Sequence, residues 1–346
     1  MWEAPPFESL TATVRDASQP IGMRMRAAYF LRSSHNQSPQ QAEVVQALSD
    51  GLRDERHGSL MRHEFAYVMG QLRDEQCCAV LEETLACETD CIMVRHEAAE
   101  ALGAIGADRS KQVLENVRQA SLDLPELAET CQIALDVMAW RDEGGDPDEM
   151  PAACACMLNP YSSVDPAPPH PSHASKSMAE LGDILCDAQL PIFERYRAMF
   201  SLRNSGGAAA VRQLCRALTQ DTSSALLRHE VAYVLGQMQH PDSVEALEES
   251  LRRTDEHRMV RHESAEALGA IDGRWEDVER ILSEFKEDEN DVVRESCLVA
   301  LDAADYWGHA TTPVEEEDEN ESPGKTSFAS QKAEPNRVLA NHFNIA

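Results

Sequence analysis

The sequence predicts an all-α fold: an α-solenoid of helical hairpins, arranged as two duplicated halves of about four repeats each that face one another. Three observations predict it. The tripeptide "RHE" occurs four times, in "MRHEFAYVMGQL", "VRHEAAEALGAI", "LRHEVAYVLGQM" and "VRHESAEALGAI". His63 and His96 lie 33 residues apart, as do His229 and His262, and a shift of 166 residues carries the first pair onto the second. A period of this length, with Ala and Leu at helical spacing, is the signature of paired helices stacked in an array. Finally, aromatic residues make up only 5% of the chain while Ala, Leu and Glu abound, which favours helices over a β-rich fold.

The elements follow in chain order. Residues 1–141 form the first repeat half, with about four units of some 33 to 37 residues. In the unit carrying His96, Val94, Ala98, Ala101, Leu102 and Ile105 make one apolar stripe on a helix; Leu227, Val231, Val234, Leu235 and Met238 repeat it. Residues 142–177 are rich in Pro, Gly and Ser and predict a flexible linker. Residues 178–309 form the second half. Its "ESCLVALD" pairs with "ETCQIALD" of the first half at the same shift of 166, and "RYRAMFSLR" resembles "RMRAAYFLR" at a shift of 171. Residues 310–346, containing "VEEEDENE", predict an acidic disordered tail.

Bulk properties narrow the function. The formal net charge of −30 excludes nucleic acid as a natural partner, because phosphate binding needs Lys and Arg; a cationic ligand or a basic protein would instead be drawn in. No apolar run approaches the roughly 20 residues of a membrane span, and "MWEAPPFESL" lacks the segments of a signal peptide. The ten cysteines form no paired CxxC pattern and read as reduced thiols of a cytoplasmic protein, with the "CAC" of the linker a chance pair.

The His-Glu pairs carry the chemistry. On a helical wheel each His lies roughly 180° from the apolar stripe and each Glu on its flank, so the pairs face the inner, concave wall of the solenoid. On the same face, one turn on, stand Tyr67, Glu100, Tyr233 and Glu266, and two turns on stand Gly70, Gly103, Gly236 and Gly269. The expectation is that Glu100 and Glu266 hold substrate amines or back the histidines, and that the glycines let a substrate approach the backbone. The two tyrosines are expected to pack.

Imidazole and carboxylate without thiolate suit Fe(II), Mn(II), Co(II) or Zn(II). Four His and four Glu are too many for one tetrahedral zinc and fit two metals. Since each helix supplies one His, this is not the HExxH arrangement, and the centre exists only when repeats pack together. A solenoid would leave such a site as an open acidic cleft able to admit a long amine on a protein.

The four His-Glu pairs in two duplicated halves, with "LNPYSSVDPAPP" in the linker, resemble the deoxyhypusine hydroxylase family over about Met23 to His309. The resemblance implies HEAT-like repeats, two Fe2+ ions as cofactors and dioxygen as co-substrate. It implies hydroxylation of the deoxyhypusine side chain on a translation initiation factor to give hypusine. It places metal ligands at His63, Glu64, His96, Glu97, His229, Glu230, His262 and Glu263, leaving open which glutamates bind iron and which bind amines. It also implies a soluble cytoplasmic enzyme with a protein substrate, expected to be a monomer. Two other readings compete: a metal-free scaffold binding a basic partner along its concave wall, and a dimetal hydrolase using zinc or manganese.

Overall fold

The computed structural model describes residues 5–35, 39–145, 155–161 and 163–310. The first half comprises α1 (Phe7–Arg15), α2 (Ile21–His35), α3 (Gln41–Arg53), α4 (Gly58–Leu72), α5 (Cys78–Ala86), α6 (Ile92–Ile105), α7 (Lys111–Ala120) and α8 (Pro125–Asp142). The second comprises α9 (Met178–Cys186), α10 (Ile192–Ser205), α11 (Gly207–Gln220), α12 (Ala225–Met238), α13 (Val244–Arg252), α14 (Arg258–Ala270), α15 (Trp275–Phe285) and α16 (Asp291–Ala310). The expected helical hairpins are present, four in each half, and no strand occurs among the described residues. None of the described helices is long and apolar enough to cross a membrane.

Even-numbered helices form the inner row. α4 packs on α6 and α6 on α8; α12 packs on α14 and α14 on α16; each also packs on its odd-numbered partner outside. The stripes explain this order, since Met61, Phe65, Val68 and Met69 of α4 and Val94, Ala98, Ala101 and Leu102 of α6 are fully or almost fully buried. The arginine of "RHE" has a separate task. Arg62, Arg95 and Arg261 each donate from Nε to the carbonyl ten residues earlier, on Leu52, Leu85 and Leu251, at 2.7, 3.0 and 2.9 Å. This ties the start of an inner helix to the last turn of its outer partner, where carbonyls otherwise lack donors. Arg228 departs from the pattern and pairs with Glu256 and the carbonyls of Asp221 and Ser224.

The two halves close on each other at both ends. α8 meets α10 and α12, with Ser224 Oγ donating to Glu129 Oε2 at 2.6 Å. α16 meets α2 and α4, where Arg26 pairs with Asp302. The array is therefore a ring.

The expected flexible linker is partly corrected. Residues 146–154 and 162 lie outside the described residues, but the described stretch from Ala155 to Ser177 is packed rather than free. Cys156, Met157 and Ala167 are buried. Asp165 accepts two hydrogen bonds, of 2.7 and 2.5 Å, from Arg203, whose side chain is 0% exposed. A buried guanidinium requires a counter-charge, and the linker supplies it. Gln71 and Gln237, related by the 166-residue shift, hold the neighbouring backbone and hydroxyl: Val164 N donates to Gln71 Oε1 at 2.8 Å, and Gln237 Nε2 donates to Ser163 Oγ at 3.0 Å. Arg203→Ala is expected to leave Asp165 unpaired, to destabilise the protein by about 3–5 kcal/mol and to make the 155–177 stretch the first site of limited proteolysis. The acidic tail beyond Ala310 lies outside the described residues. The nine described cysteines are all free.

Candidate metal centre

The inner helices α4, α6, α12 and α14 bring all four His-Glu pairs to the centre of the ring. The imidazoles form a near-square: ring centroids are 5.4 Å apart for His63–His96, His229–His262 and His63–His262, and 5.3 Å apart for His96–His229. His63 Nε2 lies 3.0 Å from Glu97 Oε2, and its counterpart His229 Nε2 lies 3.4 Å from Glu263 Oε2. Donor atoms of His63, His96 and His229 lie within 4.8 Å of one another, as do those of His229, His262 and Glu263, and those of His96, Glu97 and Glu100.

The expected open cleft is corrected here. The four histidines and the four glutamates that follow them are all buried, His96 and His262 completely. The concave wall of one half is covered by that of the other, which a single-half wheel cannot reveal. What remains is a pocket of about 430 Å³, lined among others by His63, Glu64, Glu97, Glu100, His229, Glu230 and Glu263, with Ser163 to Pro166 of the linker along one side. Tyr67 and Tyr233 reach across between the halves and share a 2.8 Å hydrogen bond through their hydroxyls. They were expected to pack, and their rings do stand 6.1 Å apart, edge to face.

The glycines do not serve the substrate. A Cβ on Gly70 would lie 2.8 Å from Ala101 Cα, and one on Gly103 2.8 Å from Ala134 Cα. Their role is close helix packing, and Gly236 and Gly269, buried at the matching positions of the second half, are likewise absent from the pocket lining. Gly103→Ala is expected to cost about 1–3 kcal/mol through helix displacement, visible as a lower Tm. The KM for substrate should stay unchanged. Glu100 lines the pocket, whereas Glu266 does not: it lies 3.6 Å from His262 Nδ1 and accepts a 2.7 Å hydrogen bond from Ser296.

The electrostatics call for cations. Burial and the charges of His229 and His63 hold the His96 imidazole well below its usual range; burial and His63 press His229 down to about 3. Burial disfavours charge on His63 too, but Glu97 and Glu64 outweigh it and raise its pKa. Burial, reinforced by neighbouring carboxylates, pushes Glu100, Glu230 and Glu266 well above the normal range and Glu263 up to about 8. So many buried acids beside neutral imidazoles are unfavourable alone and are offset by a bound dication. His96 and His229 have no hydrogen bond on either nitrogen and Glu263 Oε1 has none, although all are buried. Such orphaned donor atoms, all N and O, fit metal ions of intermediate hardness.

Tyr29, which donates to Glu64 Oε2 at 2.6 Å, was not predicted, and neither was Ser296. No local motif marks them. Gln71 and Gln237 were overlooked despite a signal: both fall eight residues after a motif histidine.

Family models described as HEAT repeats match residues 45–135 and 211–302, and one described as a PBS lyase HEAT-like repeat matches residues 194–220. Fold and site together define a HEAT-repeat α-solenoid closed into a ring around a buried histidine–carboxylate cluster. Deoxyhypusine hydroxylase of Drosophila melanogaster is 42% identical over 300 residues, covering 87% of this chain and 92% of that protein. That of Mus musculus is 44% identical over 301 residues, covering 87% and 92%. The solved structure of human deoxyhypusine hydroxylase in complex with glycerol superposes with a TM-score of 0.75 at 41% identity, covering 86% of this chain and 94% of that one. The chain belongs to the deoxyhypusine hydroxylase family of enzymes.

Proposed function

We propose that the chain is a dioxygen-dependent di-iron monooxygenase that hydroxylates the deoxyhypusine side chain of a translation initiation factor to hypusine, working as a monomer in the cytoplasm. The observation that carries this reading is the buried near-square of four imidazoles, two from each half, with Glu97 and Glu263 against His63 and His229. His63, His96, His229 and His262 would hold the metals with Glu97 and Glu263, and Glu64 and Glu230 stand beside them. Two bound irons would supply activation of dioxygen, one atom entering a C–H bond and the other leaving as water with two electrons from a reductant.

The chain's own residues supply the rest. Burial of the cluster excludes bulk water, which protects a reactive centre from side reactions. The pocket carboxylates attract an ammonium-bearing side chain and orient it, since ion-to-ion hydrogen bonds in a low-dielectric site are strong and directional. The Tyr67–Tyr233 pair and the segment from Ser163 to Pro166 confine the pocket to a narrow, elongated guest.

Elemental analysis of anaerobically purified protein is expected to find two irons per chain. A peptide carrying deoxyhypusine should gain the mass of one oxygen atom in air, but not under nitrogen. Two zinc or manganese ions without oxygen transfer would favour a hydrolase instead. Absence of metal after reconstitution with Fe(II) would leave the scaffold reading.

A further inference from the structure

The shift that superimposes the two halves of the centre does not carry over the hydroxyl groups behind it. Tyr29 Oη donates to Glu64 Oε2 at 2.6 Å, and Glu64 Oε1 lies 3.2 Å from His63 Nδ1. Ser296 Oγ donates to Glu266 Oε1 at 2.7 Å, and that oxygen lies 3.6 Å from His262 Nδ1. Each is a chain of hydroxyl, carboxylate and imidazole. Both stand where α2 and α16 meet, and both end on histidines whose rings are 5.4 Å apart.

The other junction, between α8 and α10, has neither chain. Phe200 occupies in "RYRAMFSLR" the place that Tyr29 has in "RMRAAYFLR", and it carries no hydroxyl. Thr130 matches Ser296 at the 166-residue shift, but its Oγ1 bonds the Glu126 carbonyl at 2.8 Å. Tyr196 gives its hydroxyl to the Leu226 carbonyl at 3.4 Å. Among the described residues Glu100 and Glu230 therefore have no hydrogen bond, although both line the pocket.

We propose that Tyr29 and Ser296 are positioning residues that polarise the centre. Through Glu64 and Glu266 they fix His63 and His262, leaving Glu100 and Glu230 on the opposite side to receive the cationic side chain of the substrate. A carboxylate behind a ligand imidazole fixes its ring and raises its basicity. A carboxylate already engaged by a hydroxyl and an imidazole has less capacity for an ammonium than one with no partner. This inference rests on the dimetal reading and assigns roles within it.

The test titrates metal-free, full-length protein with Co(II) and follows the visible absorption. Wild type is expected to bind two Co(II) per chain. Tyr29→Phe and Ser296→Ala should each weaken one step by about 10–100-fold, the usual consequence of losing a partner behind a metal ligand. Thr130→Ala and Phe200→Leu should change neither step by more than about twofold on the same basis. In the cobalt-loaded protein under nitrogen, Glu100→Gln should weaken binding of a deoxyhypusine peptide by about tenfold, while Tyr29→Phe leaves it unchanged. Circular dichroism checks folding of each variant, and Ser296→Ala carries the test alone if Tyr29→Phe misfolds. Unchanged cobalt steps in the folded variants, or equal weakening by Thr130→Ala, would overturn the polarised centre while the dimetal reading stands. Failure of wild type to bind cobalt would overturn both.

Discussion

His96→Ala is expected to lower bound iron from two per chain to one or fewer, and to reduce hydroxylation by more than about 100-fold, beyond the usual cost of losing only an outer partner of a ligand. His96 is 0% exposed, and neither of its nitrogens has a hydrogen bond. In the metal-free protein this imidazole is a cost, because a buried polar group without a partner loses its hydration for nothing. The metal-free variant should therefore be no less stable than metal-free wild type, while the metal-loaded variant falls below its wild-type counterpart. A histidine retained for packing would show the reverse: a stability loss in both forms with metal content intact. Calorimetry with and without metal, beside elemental analysis, separates the two.

Removing metal from the wild-type protein is expected to have a comparably large effect on the fold. The centre draws two imidazoles from each half, and its acids repel one another when no cation is present. Two sites, each filled at about 100 times Kd, contribute roughly 5 kcal/mol of linked stability. For a chain of this size that corresponds to a fall in Tm on the order of 10–20 °C. Chelation should also enlarge the radius of gyration in small-angle scattering, and anaerobic Fe(II) should restore both quantities. An unchanged Tm and radius in verified metal-free protein would show that packing at the two junctions closes the ring without help from the centre.

The repeat period, the duplication and the eight His-Glu positions were legible in the sequence because each is local or periodic. Val94, Ala98 and Leu102 fall on one helical face, and that face alone forces a partner helix. The depth of the site was not legible. Whether His96 faces solvent or a second wall depends on how the halves close, which no single-helix wheel contains. The linker was misread for a related reason. Its Pro-rich composition argues against regular structure, but Asp165 is held by Arg203, 38 positions away in the chain, and such a pairing leaves no periodic trace. Glycine spacing pointed at the right face but the wrong role, since tight helix packing and substrate access both require a missing side chain.

The closed ring bears on ancestry. Its two halves meet as two copies of one self-complementary protein would across a two-fold axis, so the architecture is that of a homodimer written into a single gene. A true homodimer must carry the same side chains at both of its junctions, and any substitution at one is imposed on the other. Fusion removes that constraint. Tyr29 and Ser296 at one junction could then diverge from Phe200 and Thr130 at the other, so that a structure symmetrical in its backbone can present unlike ends to an unsymmetrical guest.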